Sequence, residues 1–544
     1  MTKPSSRLMM DAPNAASSVP QAETSRVSRR AFVQQSVRGA AALGALTALP
    51  TAQAASATSS APCGSVIPSH WDETFDVIVV GSGLAGFCAG ITAAELGRKT
   101  VILEKMGVPG GSSVISGGTF AACNTPAQAK AGIQDSVELY MADVLKAGQR
   151  LNVPALVRTM CEQSADGLKF LMDRGAQYNP ELRKVAGHSV MRCFQPLYNN
   201  GLSVIQPLYR HYHTLANASL RLRTKVDELI RDASGRVVGL KVRVAYLFDP
   251  ASPADDRLNK TGVVKYFRAR RGVVFATGGF SRDFEFRSRE FPQYNKVPST
   301  VQLGATAGAL KAMMAAGARS IHLAHVRFAI SIGYEDIEKG LLVDQRTGKR
   351  FINEGAPRMG LSYKIIDVVN AGSDWPALIY DEKGLATLYD RDKLNIILNN
   401  GEMPKFATLA ELAAHFKIPE KALIETVDRY NGFLKAGKDE EFGKDFAKTH
   451  SVPVLEGPFY ACPVYPKFNY SQGGIAIDER TRAISAEDNE IIPGLYVCGE
   501  ASGGVHGAVR VTGCSMSDCT VFGRIAGAEA AKAEPTDVVT VAKH

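Results

Sequence analysis

A glycine-rich turn directly after a short apolar run constrains this chain more than any other feature. Residues 75–80 have the length and the β-branched content of a strand that is buried on both faces. Gly81, Gly83 and Gly86 follow the run and complete the pattern G-x-G-x-x-G. The sequence then predicts a helix over 87–96 and a second strand over 100–103, ending at Glu104. This order predicts a Rossmann-like α/β unit that binds a dinucleotide.

The chemistry of a dinucleotide explains these residue types. Glycine lets the backbone approach a pyrophosphate, and the N-terminus of the following helix offers unpaired N–H groups with a partial positive charge. Glu104 lies 18 residues beyond Gly86, where a carboxylate accepts hydrogen bonds from a ribose. Small residues continue through Ser112, Ser113 and Gly117, which favours an extended flavin nucleotide lying against the backbone over a nicotinamide nucleotide.

Two later stretches carry the same glycine-rich character. Residues 271–280 are predicted to form a strand that ends in a Gly-Gly turn. Residues 499–510 place a carboxylate, an imidazole and a guanidinium within a dozen positions, at Glu500, His506 and Arg510. Arginine offers planar, bidentate recognition of a carboxylate and keeps its charge, so this late stretch is a candidate substrate site.

Together these motifs resemble the FAD-dependent fumarate reductase and succinate dehydrogenase flavoprotein family, and most of all its flavocytochrome c-like reductases without their haem domain. The resemblance covers about residues 75–531. It implies FAD as the cofactor and an α/β fold in which a Rossmann-like FAD-binding domain carries an inserted α+β cap domain. The expected boundaries are 72–319 and 468–535 for the FAD-binding domain and 320–467 for the cap.

The resemblance assigns a cofactor role to particular positions. Glu500 matches the residue that binds the flavin ribityl chain, and Ser515 is expected along the pyrimidine edge of the flavin. The full set of expected FAD contacts is Gly81, Gly83, Gly86, Glu104, Lys105, Gly111, Ser112, Ser113, Gly117, Gly118, Ala276, Thr277, Gly278, Glu500 and Ser515.

The resemblance also implies four catalytic residues. His506 and Arg510 are similar to a pair that holds a substrate carboxylate, and Arg358 matches the proton donor of fumarate reductases. The pair Ala324-His325 is also similar to the family sequence. Its histidine contacts the second substrate carboxylate in that family, so the resemblance gives this role to His325.

The chain departs from the family pattern in two places. Val509, Thr512 and Cys514 differ within the late motif, and residues 330–342 replace the stretch that supplies further substrate contacts. The changed half of the pocket argues against fumarate itself. Tyr334, Arg327 or a carboxylate of the cap could instead face a larger or aromatic substituent, with packing alone as the alternative role for Tyr334.

Three functional hypotheses follow. The favoured one is reduction of the C=C bond of an α,β-unsaturated carboxylate, with hydride from flavin N5 and a proton from Arg358. The reverse desaturation, of an acid or a ketosteroid, is the first alternative. The second is a flavin-binding protein without turnover, against which the complete set of Arg358, His506 and Arg510 argues.

The cysteine pattern bears on metals and on the electron donor. None of the nine cysteines lies in a C-x-x-C or C-x-x-C-H motif, so neither a zinc site nor a c-type haem is predicted. A reductase of this kind therefore needs a separate electron-transfer protein, and a c-type cytochrome is one candidate.

The N-terminus has the form of an export signal. Arg29 and Arg30 give it a twin-arginine motif, an apolar run over 39–49 follows, and residues 52–54 offer a small-residue cleavage site. We therefore expect a signal peptide over 1–54, a linker over 55–71 and a periplasmic protein. The run is too short for stable membrane insertion. Removing 1–54 lowers the formal net charge from +9 to +5, and no basic run suited to nucleic acid remains.

Overall fold

The predicted strand–turn–helix–strand unit is present in the computed structural model, which describes residues 67–388 and 391–536. The first strand ends at Val80, and the helix begins at Leu84, three residues earlier than predicted, because Gly83 takes an extended conformation and forms its N-cap. The expected signal peptide and residues 55–66 of the expected linker lie outside the described residues.

Short strands and helices alternate along the described part of the chain. The strands are β1 Glu73–Val80, β2 Thr100–Leu103, β3 Phe120–Ala121, β4 Cys193–Phe194, β5 Ala218–Arg221, β6 Thr224–Arg231, β7 Val237–Val244, β8 Val263–Phe275, β9 Ser320–Ile321, β10 Val326–Ile330, β11 Leu341–Val343, β12 Ala377–Asp381, β13 Lys405–Phe406, β14 Phe459–Pro463, β15 Pro466–Ser471, β16 Gly474–Ala476, β17 Arg482–Ile484, β18 Ile491–Val497 and β19 Ser502–Gly503. The α-helices are α1 Leu84–Glu95, α2 Gly111–Val114, α3 Pro126–Lys130, α4 Val137–Ala147, α5 Pro154–Glu162, α6 Ser164–Asp173, α7 Leu202–Thr214, α8 Asp255–Leu258, α9 Phe284–Glu290, α10 Gly308–Ala315, α11 Tyr334–Ile337, α12 Arg358–Asn370, α13 Glu382–Leu385, α14 Arg391–Asn399, α15 Leu409–Phe416, α16 Glu420–Ala436 and α17 Cys514–Lys532.

The main sheet has the strand order β17-β18-β8-β1-β2-β5. Its neighbours from β18 to β5 are parallel, and β6 and β7 extend it antiparallel beside the first half of β8. The inner part of β1 is fully buried, as expected for a parallel strand covered on both faces. Helix α17 packs directly on α1, since a Cβ at Gly523 or Gly527 would lie 2.6 or 2.2 Å from a backbone oxygen of α1.

A second, antiparallel sheet with the order β11-β12-β14-β13 lies within the segment expected to form the cap. Helices α15 and α16 pack against it and complete a separate apolar cluster around Leu412, Leu423 and Tyr430. The chain enters and leaves this region through β10 and β15, which pair antiparallel from Val326–Ser471 to Ile330–Pro466. The α/β fold with an inserted α+β region is therefore the one that the sequence predicted.

No helix among residues 67–388 and 391–536 combines the length and apolarity that crossing a membrane requires. The eight described cysteines are all unpaired, and seven of them are buried.

Candidate active site

A cleft opens at the carboxyl ends of β1, β2 and β8. The carboxyl ends of parallel strands meet at one edge of a sheet, which is where ligands of open α/β folds bind. Eleven of the positions expected to contact FAD line this cleft: Gly81, Gly83, Glu104, Lys105, Gly111, Ser112, Ser113, Ala276, Thr277, Gly278 and Glu500.

Four expected contacts, Gly86, Gly117, Gly118 and Ser515, are not among the cleft-lining residues. A Cβ at Gly86 would lie 1.9 Å from the carbonyl oxygen of Gly81, so Gly86 allows α1 to pack against the turn. Gly118 has a φ of +69° and packs on Pro196. Ser515 is the second residue of α17. Gly86 and Gly118 therefore shape the backbone around the cleft.

Glu104 is fixed in the cleft wall by the glycine turn itself. Its Oε2 accepts hydrogen bonds from the backbone N–H of Ser82 at 3.1 Å and from the Ser82 hydroxyl at 2.5 Å, and its Oε1 accepts one from the N–H of Met106 at 2.8 Å. The Ser82 hydroxyl also accepts a hydrogen bond from the N–H of Gly110. Ser82 thus joins the turn to the next loop, a role that its variable position in the motif did not indicate.

Other lining residues come from segments without a recognisable motif. Thr224, Lys225 and Val226 begin β6, and Asp256, Gln302 and Thr306 lie on later loops and a short helix. The ammonium of Lys105 donates to the Thr306 hydroxyl at 2.6 Å and lies 3.6 Å from Asp256. These contacts join positions 150 to 200 residues apart, so sequence patterns could not have found them.

Glu500 lines the cleft, where its Oε1 accepts a hydrogen bond from the backbone N–H of Ser471 at 2.8 Å. Removal from water raises the pKa of the Glu500 carboxyl from 4.5 to about 7, although the Ser471 N–H and the charge of Arg510 favour its ionised form. The folded protein without cofactor therefore holds a proton on Glu500 at pH values where the unfolded chain has lost it.

This shift predicts how stability depends on pH. Because folding raises the pKa, the contribution of Glu500 is fully present below pH 4.5 and is lost as the pH rises through about 7. At about 1.4 kcal/mol per pKa unit, the loss is at most about 3.5 kcal/mol. Urea unfolding of FAD-free protein at pH 5 and pH 8 measures it. The Glu500→Gln variant should lose correspondingly less stability between the two values; an identical loss in both proteins would contradict the prediction.

The residues that line the cleft fit FAD on two observations. Gly81 admits no side chain, because a Cβ there would lie 2.4 Å from the carbonyl oxygen of Ala276, whereas Gly278 faces open space and leaves room for a ligand. Glu500 offers a carboxyl in the cleft wall. Outside the lining, Gln472 directly follows Ser471, the partner of Glu500; it is 1% exposed, and neither polar atom of its amide has a partner in the described residues. A buried amide without partners is costly, and a polar ring edge of a bound cofactor would satisfy it.

A second group of polar side chains surrounds Tyr470. The Tyr470 hydroxyl donates to Asp518 Oδ2 at 3.1 Å, and His506 Nε2 lies 3.1 Å from the same oxygen. The guanidinium of Arg510 stacks on the Tyr470 ring, 4.7 Å from its centroid. Arg510 is 8% exposed, its Nε has no partner, and no described carboxylate forms an ion pair with it. A buried cation that has no carboxylate within ion-pair distance favours an anionic ligand.

The surroundings of His506 limit what its ring can bind. Burial lowers the pKa of the imidazole, against the opposing effect of Asp518. With Asp518 ionised, Nε2 is the hydrogen-bond donor, and a neutral ring then presents only a lone pair at the unpartnered Nδ1. In this geometry His506 contacts Asp518 through Nε2 and has Nδ1 unpartnered. The expected clamp formed jointly by His506 and Arg510 stays a prediction.

Arg327, on β10, approaches the same group from the other side. Its Nη1 donates to Asn469 Oδ1 at 2.7 Å and its Nη2 donates to Thr512 Oγ1 at 3.2 Å. Burial lowers the pKa of Arg327 well below its ordinary value, and the charges of Arg510 and Arg358 lower it further.

The remaining predicted residues lie on the cap side. Arg358 is the first residue of α12, just after a loop that buried ion pairs hold through Arg350 and Glu354. The backbone carbonyl of His325 accepts a hydrogen bond from the N–H of Gln472, and its ring lies 6.0 Å from that of His322. No hydrogen bond of the described residues joins His325 to the group around Tyr470.

Comparison with known proteins supports the same cofactor. A family model described as "FAD binding domain" matches residues 76–516. The acrylate reductase flavoprotein subunit of Shewanella woodyi is 33% identical over 472 residues, covering 84% of this chain and 91% of that protein. The urocanate reductase of Eggerthella lenta is 33% identical over 473 residues, covering 84% of this chain and 74% of that protein.

A solved structure of similar architecture is the open conformation of a flavocytochrome c3 fumarate reductase. It has a TM-score of 0.74 and 28% identity, and the match covers 85% of this chain and 79% of that one. These relatives are reductases, which argues against a flavin-binding protein without turnover. The chain therefore belongs to the FAD-dependent fumarate reductase and succinate dehydrogenase flavoprotein family, and it is an FAD-dependent oxidoreductase that acts on CH–CH groups.

Proposed function

We propose that this protein reduces an α,β-unsaturated carboxylate that is bound at Arg510. The observation that carries the proposal is the buried guanidinium of Arg510, which lies on the Tyr470 ring and forms no ion pair with a described carboxylate. Such a group binds a carboxylate bidentately and orients the adjacent double bond.

In the proposed reaction, different residues of the chain have different roles. FAD, when bound, supplies the hydride that adds to the β-carbon of the substrate. Arg358 gives the α-carbon its proton and is recharged from solvent. His506 and Tyr470 hold Asp518, and Glu500 and Gln472 hold the cofactor. The segment over 320–467 acts as a cap that excludes water during transfer.

The substrate, the location and the electron donor are proposed from separate observations. The relatives act on acrylate, urocanate and fumarate according to their names, so substituents from hydrogen to an aromatic ring occur among them. The changed segment over 330–342 supports a substrate other than fumarate, with a larger or aromatic substituent. The twin-arginine motif at Arg29 and Arg30 supports export to the periplasm, where a separate electron-transfer protein, such as a c-type cytochrome, would deliver two electrons per turnover.

Anaerobic mixing of the reduced holoenzyme with a panel of unsaturated acids tests this function. The panel comprises acrylate, fumarate, urocanate and cinnamate. We expect one acid to reoxidise the flavin at least a hundredfold faster than the others, since a misfitted substituent displaces the double bond from its productive position.

Two results would contradict the proposal. Bleaching of the oxidised flavin by a saturated acid, with no reoxidation by its unsaturated partner, would indicate a dehydrogenase. If no unsaturated acid reoxidised the reduced flavin and no saturated acid bleached the oxidised flavin, unsaturated carboxylates would not be the substrate class.

A further inference from the structure

The carboxylate of Asp256 lies in the wall of the cofactor cleft, on the segment that joins β7 to β8. Its side chain is 12% exposed. Oδ2 accepts a hydrogen bond from the backbone N–H of Gly308 at 2.9 Å, and Oδ1 accepts none within the described residues. A Cβ at Gly308 would lie 2.6 Å from this carboxyl group, so the glycine makes room for it. The fold therefore holds Asp256 in place through one oxygen only.

Two lysines of the cleft wall lie close to Asp256, but each has a nearer partner. Lys105 Nζ lies 3.6 Å from Oδ1 of Asp256 and donates to the Thr306 hydroxyl at 2.6 Å. Lys225 Nζ lies 3.9 Å from the same oxygen and donates to Asp227 at 2.7 Å. Burial would raise the pKa of Asp256, but nearby groups, first of all the two lysines, lower it below its ordinary value. The lysines thus keep the carboxylate ionised without using its hydrogen-bonding capacity.

The position of Asp256 in the cleft indicates which part of a dinucleotide it faces. In this type of site the glycine turn contacts the pyrophosphate, and the carboxylate after the second strand, here Glu104, contacts the ribose. Lys105 directly follows Glu104 in the sequence. The N–H of Thr224, the neighbour of Lys225, donates to the carbonyl oxygen of Glu104 at 2.8 Å. Asp256 therefore lies among the residues next to the ribose carboxylate, and the group of FAD that follows the ribose is the adenine base.

The chemistry of adenine limits what an ionised carboxylate can bind. The ring nitrogens of the base are acceptors, and its exocyclic amino group is the donor. An ionised carboxylate only accepts hydrogen bonds. Of the polar groups on the adenine ring, the amino group is therefore the one that matches Asp256.

We propose that Asp256 is a cofactor-specificity residue that accepts a hydrogen bond from the amino group of the adenine of FAD. A residue of this kind selects FAD over flavin dinucleotides whose base lacks the amino group. The inference concerns the cofactor and not the substrate, so it does not depend on the roles proposed for Arg358 and Arg510.

The test compares two cofactors of equal charge. FAD and its analogue with purine in place of adenine differ only in the amino group. The full-length protein, freed of cofactor, is titrated with each of them, and flavin fluorescence reports binding. We expect the wild-type protein to bind FAD at least about tenfold more tightly, the size of one hydrogen bond to a charged group. In Asp256→Asn this preference should disappear, because the amide oxygen stays on Gly308 and its NH₂ group then presents a donor to the amino group.

Asp249→Asn is the matched control, because Asp249 is an exposed carboxylate of the same segment and is not among the residues that line the cleft. This variant should keep the wild-type preference for FAD. The affinity of Asp256→Asn for the purine analogue reports on the fold. It should be at least as high as in the wild-type protein, since the analogue makes no use of the hydrogen bond and the variant loses a negative charge near an anionic cofactor.

Three outcomes would overturn the inference. They are equal affinities of the wild-type protein for the two cofactors, a preference for FAD that Asp256→Asn keeps, and a parallel loss of both affinities in that variant. Failure of the proposed function has a different signature, since it would appear as reduced flavin that no unsaturated acid reoxidises, whatever the cofactor preference.

Discussion

Replacing Arg358 with glutamine is expected to lower kcat by about a thousandfold or more while FAD stays bound. A positioned proton donor contributes about 10² to 10⁴ in rate, and glutamine keeps hydrogen-bonding capacity without an acidic proton. Arg358 begins α12 on the cap side, whereas the cofactor cleft is lined by other segments. Turnover is measured with the best acid of the panel and an artificial electron donor, and bound FAD is measured by its absorbance.

Lys364→Gln is the matched control, because Lys364 lies on the same helix and its side chain is 61% exposed. This variant should keep wild-type turnover. Full activity in Arg358→Gln would show that Arg358 is not the proton donor. Loss of FAD together with activity would instead assign Arg358 a structural role.

The parts of the fold that local chemistry dictates could be predicted from the sequence. Gly81 has a φ of +100°, and a Cβ there would lie 2.4 Å from the carbonyl oxygen of Ala276, so only glycine fits. The glycine pattern in the sequence therefore predicts the turn directly. Glu104 was predictable for a similar reason, since it directly follows β2 at the edge where parallel strands end. By contrast, a positive φ at Arg223 separates β5 from β6, and no glycine marks this break in the sequence.

The parts of the site that depend on contacts between residues far apart in the sequence could not be predicted. Arg327 contacts residues 142 and 185 positions away, and nothing in the local sequence indicates which acceptors those will be. The late motif predicted an imidazole at His506 but not that Asp518 would take one of its nitrogens. A motif thus gives the type of side chain, while its neighbours in three dimensions decide whether that side chain binds substrate or holds another residue.

The largest effect on stability is expected from Glu354→Gln, which should lower the free energy of unfolding of the cap region by about 3–5 kcal/mol. Glu354 is fully buried and accepts from Arg350 at 3.0 and 2.8 Å, with the Lys444 ammonium at 3.3 Å. Burial alone would raise the pKa of Glu354, but Lys444 and Arg350 hold it below its ordinary value. Removing one partner of a buried ion pair leaves uncompensated charge, which costs far more than the pair itself contributes. Urea unfolding of the holoenzyme measures the change.

Glu441→Gln is the control for this effect. Glu441 Oε2 also lies near Arg350, 3.7 Å from its Nη1, but the side chain of Glu441 is 30% exposed. Solvent screens that contact, so its loss should cost less than about 1 kcal/mol. Equal stability of the two variants would show that the buried cluster relaxes around the missing charge. Since Glu354 lies four residues before Arg358, its loss should also loosen the start of α12. We therefore expect Glu354→Gln to lower kcat even at temperatures where the protein remains folded, and Glu441→Gln to leave it unchanged.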